Sequence, residues 1–278
     1  MASPHQHIGL VDMVAGIAPP PKPWVELRER FDTFMALNDA PLRQQVVDAV
    51  LHGGDVVTLR ALAFAEVVPG FRDSVVGAVQ AAVAPALVAL YSKAAVANYG
   101  KVAKEFDGAA SKFTTAALQC DPEADPASIV GQPDSVRTSW LNTLEHAAEL
   151  DALVPVLLAA AELADIALPR RTGRDSALLA LMVDPGGLHR RRVWEAWRVE
   201  GGRCGHWAAL VALGATIRAW PAERITEFTP YREPMPLKRK QFPVPGQPFG
   251  TYQPVLIDPE DPDYIPEAEE PKRRALAR

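Results

Sequence analysis

Cys204-Gly205-His206 is the only place in the 278-residue chain where a thiol stands beside an imidazole. A cysteine nucleophile needs a base within hydrogen-bond reach and surroundings that lower its pKa. The i, i+2 spacing at a helix start would let His206 serve as that base, but no orienting acid is evident nearby. A half-buried cysteine and a capping histidine account for the pair more simply. No catalytic residue is assigned, and the protein is read as a non-enzyme.

The other reactive side chains are as sparse. His5 and His7 supply two metal ligands at most, which do not make a structural site. Glu145-His146 and Glu149 share one helix, but the paired carboxylate–histidine pattern of a di-iron bundle needs a second such helix. Gly186-Gly187 and Gly201-Gly202 follow helices and lack the spacing and the Lys-Ser/Thr of a phosphate loop. No Gly-x-Ser-x-Gly elbow is present. No metal or cofactor is expected.

Arginine gives the strongest chemical signal. Eight arginines fall between Arg170 and Arg203 (Arg170, Arg171, Arg174, Arg190, Arg191, Arg192, Arg198 and Arg203) against four acids. Guanidinium forks suit phosphate oxygens. Arg170, Arg171, Arg174, Arg190, Arg191, Arg192 and Arg203 are therefore candidates for binding an anion or an acidic partner. Nucleic acid is the alternative ligand for this window. Successive arginines on a helix diverge, however, and the chain as a whole carries a formal charge of −5, too mild to dictate a partner.

The elements that must position these residues read as all-α. Two helical stretches, about 86–119 and 135–168, flank a connector rich in Pro and Asp and suggest a long antiparallel helical hairpin. In the second, Val136, Trp140, Ala147, Leu150, Val154, Leu157, Ala161, Ala164 and Leu168 recur at three- and four-residue steps, one face of a helix. Tyr99, Val102, Phe106, Ala109, Phe113 and Ala116 repeat the spacing in the first. Pro155 predicts a kink, and Pro85 a bend or break before the first arm. The connector Cys120–Pro133 reads as an exposed loop that puts the tip in solvent or against a partner.

Short helices flank the hairpin. Trp24, Leu27, Phe31, Phe34 and Met35 share one face, and helices over 41–51 and 55–68 complete a compact base. After a basic turn at 169–174, helices are expected over 175–183, 188–199 and 206–220, with Trp194, Trp197, Trp207 and Trp220 as the core of a small module. The domain plan is an arm at 1–23, a helical domain at 24–168, an Arg/Trp-rich module at 169–228 and a Pro-rich tail at 229–278. The N-terminal arm runs into Pro19, Pro20, Pro21 and Pro23 and reads as extended. Eleven of the 26 prolines lie in the last 50 residues, so the tail reads as extended too. Phe242, Phe249, Tyr252 and Tyr264 are its candidate partner-binding side chains.

Composition sets the outer limits. Hydrophobic residues make up 48% of the chain and mean hydropathy is −0.03, ordinary for a soluble globular protein. Two distant cysteines provide no disulfide framework. The first 16 residues lack the basic start and apolar core of a secretory signal. The run Ser74–Ser92 has no charge over 19 positions, yet its alanines barely favour lipid and Gln80 and Pro85 interrupt it, so a membrane span is disfavoured. Abundant Ala, Val, Pro and Arg with few Lys and Asn suggest GC-rich coding, as in a bacterium or its viruses. The expectation is a cytoplasmic or virion-associated structural or assembly protein. Its extended arms contact neighbouring subunits in a homo-oligomer or larger assembly, the specific version being a bacteriophage virion or assembly component.

Overall fold

The structure, a computed structural model, describes residues 3–36, 47, 50–55, 57, 58, 71–166, 168, 174–221, 236–243 and 252–256. Most of the described residues are helical. In chain order the elements are α1 (Pro4–Ala15), α2 (Lys22–Ala36), α3 (Phe71–Gln119), α4 (Pro126–Ile129), α5 (Asp134–Leu163), α6 (Arg174–Met182), β1 (Val183–Asp184), α7 (Arg190–Trp197), α8 (Gly205–Leu213), β2 (Thr216–Ile217), β3 (Pro236–Pro243) and β4 (Tyr252–Leu256). The chain divides into two compact units, Met1–Val102 with Ala159–Asp165, and Ala103–Leu158 with Ile166–Arg278. The expected base helices at 41–51 and 55–68 lie largely outside the described residues.

The first unit overturns the extended N-terminal arm. Ser3 caps α1 by accepting the Gln6 amide N–H, and Pro4 occupies the first turn, where its missing N–H costs nothing. His7, Ile8, Val11 and Val14 then bury one stripe of the helix. Ile8 and Val11 join Trp24 and Phe31 of α2 and Leu87, Tyr91 and Ala95 of α3 in one apolar cluster. Leu163 and Ala164 pack against it. The imidazole of His7 is part of this core. Trp24 Nε1 donates to His7 Nε2 at 3.3 Å, and the His7 ring stands edge-on to Tyr91. Outside the cluster, Arg28 reaches back from α2 to form a two-pronged ion pair with Asp12.

Helix α3 runs unbroken through Pro85, and α5 through Pro155. Both prolines sit on exposed positions, so the carbonyls they leave without a helical donor can meet water. The apolar content of α3 is only partly used. Among the described residues, Val75–Gln119 is long and apolar enough to cross a membrane by length and composition, and 17% of its most apolar window is buried.

In the second unit, Lys112 of α3 pairs with Glu149 of α5 at 3.0 Å, and Ser139 of α5 donates to Gln119 of α3. The expected helix over 206–220 is cut short. Gly214 takes the left-handed conformation, φ 87°, that ends α8, and the next residues form β2. Ile217 and Thr216 of β2 face Val183 and Asp184 of β1. Trp220 Nε1 closes the pair on the Val183 carbonyl at 2.9 Å. Trp194, Trp207 and Trp220 are buried as expected, whereas Trp197 is only half-buried. The tail is corrected in part: β3 pairs antiparallel with β4, Phe242 opposite Gln253 and Pro243 opposite Tyr252. In a two-stranded ribbon every strand is an edge, which is where proline is tolerated.

His7 makes stability depend on pH. Burial holds its pKa below the ordinary 6.5, against the raising effect of the Leu87 carbonyl, so the unfolded chain protonates first as pH falls. The stabilisation is whole above about pH 6.5 and is lost as pH drops through that value toward the folded pKa. Melting curves between pH 8 and pH 5 should show this fall. His7→Gln keeps an acceptor for Trp24 and should flatten the slope at a cost of about 1 kcal/mol.

Candidate functional site

The first amides of a helix have no carbonyl partner within it. At the start of α8 a carboxylate from the α3–α4 connector fills that role. Glu123 accepts the Arg203 amide N–H at 2.5 Å and the Cys204 amide N–H at 2.6 Å, one on each oxygen. A negative group at a helix N-terminus also meets the favourable end of the helix dipole. Gly202 makes the approach possible. Its φ is 102°, and a Cβ there would overlap the Glu123 carboxylate.

Arg203 locks the same corner. Its guanidinium lies 3.6 Å from the centre of the Trp140 ring. It donates to Thr143 Oγ1 at 2.7 Å, to the Leu141 carbonyl at 3.3 Å and to the Pro122 carbonyl at 3.4 Å. The connector therefore does more than form an exposed tip. Pro122 and Ile129 are buried, while most of its other residues are exposed.

Beside this corner is a cavity of about 460 Å³. Leu144, Ala147 and Ala148 of α5 form one wall, and Trp197, Val199 and Gly205 stand opposite. Polar groups meet at Asp151. Its Oδ1 accepts the indole N–H of fully buried Trp207 at 2.8 Å, and His206 Nε2 lies 3.4 Å from the same oxygen. Nε2 is shielded from solvent and makes no well-aligned hydrogen bond. The His206 ring is wedged against Trp197, 4.0 Å between centres, and Trp207, 4.7 Å. Burial lowers the His206 pKa and outweighs the raising effect of Asp151. Burial thus favours the uncharged imidazole.

Cys204 and His206 are indeed neighbours at a helix start, but the thiol's surroundings are wrong for a nucleophile. Cys204 is buried, and burial pushes its pKa up, only partly offset by Thr143 and Arg203. The orienting acid that the sequence left unseen is Asp151, 55 residues upstream, and it serves His206 and Trp207. Glu149 pairs with Lys112 and with His146 at 3.5 Å. Among the described residues no group of three or more His, Cys, Asp or Glu could hold a metal ion.

The arginines disperse. Arg191 is buried, with its guanidinium on Trp194 and its Nε 3.3 Å from Glu195. Arg192 lies 3.8 Å from the same Glu195. Arg198 covers Trp194 at 4.6 Å, and Arg203 is the clamp described above. Arg174 and Arg190 lie on α6 and α7, with side chains outside the description. Arg170, Arg171, Phe249 and Tyr264 lie outside the described residues. Phe242 and Tyr252 fall on β3 and β4, in adjacent register pairs of the ribbon. No protein-family model, curated protein or solved structure matches this chain.

Two outcomes follow from this geometry. Gly202→Ala should destabilise the protein by about 1–3 kcal/mol in chemical denaturation, because it strains φ and expels the carboxylate that serves two amides. In a Cys120→Ser background, Cys204 should resist a thiol reagent at neutral pH and react only on unfolding. Rapid labelling of native protein would restore the nucleophile reading.

Proposed function

We propose that the protein is a non-enzymatic assembly protein whose copies associate through one uncharged face of α3. The observation that carries this reading is the exposure of that face. Ala78, Ala82, Pro85, Ala89, Ser92, Val96 and Gly100 follow one another at three- and four-residue steps, and all are exposed. Val96 is 59% exposed, and Val75 and Val88 stand out of the same stretch of helix. Apolar surface left in water this way marks an interaction site. Small side chains let two helices approach closely, and a face with no charge has nothing to steer or repel a like face. A second copy satisfies that requirement through an isologous, two-fold contact.

The antiparallel spine of α3 and α5 expected from the sequence is part of this reading, as is the specific version of a virion or virion-assembly component. The role given to the N-terminus changes, because α1 is committed to its own core. A lipid bilayer is the competing cover for α3. The alanines of the run Ser74–Ser92 barely favour lipid, and Gln80 and Pro85 interrupt it, which argues against a bilayer.

Sedimentation should show concentration-dependent association of the wild-type chain. Val96→Glu should shift it to monomer with its helical circular dichroism unchanged. A strictly monomeric wild type at tens of micromolar overturns the reading, and so does a chain that stays monomeric in solution but partitions into liposomes.

A further inference from the structure

We infer that the cavity between α5 and the start of α8 binds a protonated aliphatic amine, its ammonium held by Asp151 against Trp197 and its alkyl chain along Leu144 and Ala148. The inference concerns the second unit and goes beyond the assembly reading, whose failure would leave it standing.

Three features select a cation. Asp151 is the pole of the site, and its only described partners are the Trp207 N–H and the His206 ring, both on Oδ1. Oδ2 has no partner among the described residues. Burial disfavours a charge on His206, so the ring does little to cancel the carboxylate. Glu200 adds a second carboxylate to the lining. An ammonium carries three donors and no acceptor, which matches such a set.

The two arginines in the lining do not reverse the sign. The Arg203 guanidinium is stacked on Trp140 and bonded to Thr143 and to the carbonyls of Leu141 and Pro122. That of Arg198 lies over Trp194. Neither ring belongs to the cavity wall. The Arg203 and Cys204 amides that lead into α8 are already taken by Glu123. Trp197 supplies a face on which a cation gains further attraction. Leu144, Ala147, Ala148 and Val199 are the apolar part of the lining and suit a short alkyl chain.

The amine can come from a free metabolite or from the lysine side chain of a protein, and two probes separate these sources. The intact protein is titrated with n-butylammonium, with n-butanol as its uncharged counterpart, and with Nα-acetyl-lysine N-methylamide. The readout is the Trp207 indole N–H signal in nitrogen–proton correlation spectra. Saturable shifts are expected with n-butylammonium and not with n-butanol. A lysine derivative that binds at least as well as n-butylammonium identifies a protein side chain as the source, and one that is excluded identifies a free amine. Asp151→Asn retains an acceptor for Trp207 and should weaken binding by about tenfold or more, as expected for loss of a charge-assisted bond. Should that variant fold poorly, Ala148→Phe fills the cavity from an exposed position and should abolish binding alone. Equal binding of butanol and butylammonium, no saturable shift with any probe, or undiminished binding in Ala148→Phe overturns the inference.

Discussion

Two backbone amides at the start of α8 need acceptors that the helix cannot provide, and the second unit is arranged around the carboxylate that supplies them. Glu123 lies 80 and 81 residues from its partners. Each of these charge-assisted bonds is worth about 1.5–3 kcal/mol in favourable settings. The contact demands a residue without a side chain at 202 and draws the connector against α8. It also leaves Arg203 aligned to stack on Trp140 and bond to Thr143, which is fully buried. Once residues 202–204 are held, the direction of His206 and Trp207 from the first turn of α8 is set. Both then converge on Asp151 of α5.

Long helices were legible because their period survives local exceptions. The stripe from Tyr99 to Ala116 and the one from Val136 to Leu157 appear as helix faces, with Val102, Phe106, Phe113, Leu150 and Leu157 fully buried. Of the readings at Pro85 and Pro155, a break at Pro85 is excluded, because α3 continues through it. A proline breaks a helix when the carbonyl four residues back has nowhere else to turn, and on an exposed side water serves. The N-terminal helix was missed for the opposite reason. Its stripe of residues 4, 7, 8, 11 and 14 contains a histidine, and counting His7 as polar erased the pattern. Burial of a neutral imidazole beside an indole N–H is invisible to a hydropathy count. Strands of two residues, such as β1 and β2, have no period to read. Only the left-handed glycine at 214 marks where α8 must stop.

The site was half legible. Cys204 and His206 drew notice as a thiol–imidazole pair, yet the pair that matters joins His206 to Asp151 across 55 residues, which no local spacing reveals. Two arginines of the window have another use, for a reason the sequence does contain. Arg191 and Arg198 flank Trp194 at i−3 and i+4, the spacing at which helical side chains meet. Both guanidiniums accordingly lie on that indole. Arginines placed one helical turn from a tryptophan are as readily consumed by cation–π stacking as offered to phosphate.

The cavity owes its existence to side-chain size. Ala147, Ala148 and Gly205 leave space that a leucine at any of these positions would occupy. Trp197 is large enough to fill it, but its ring is held at the edge, 4.0 Å from His206 and 5.5 Å from Trp207. The aromatic cluster that buries Trp207 therefore also keeps the space open. Because the Trp207 N–H needs an acceptor, a carboxylate has to stand at the cavity wall. The polarity of the site follows from satisfying one buried indole with the Asp151 carboxylate.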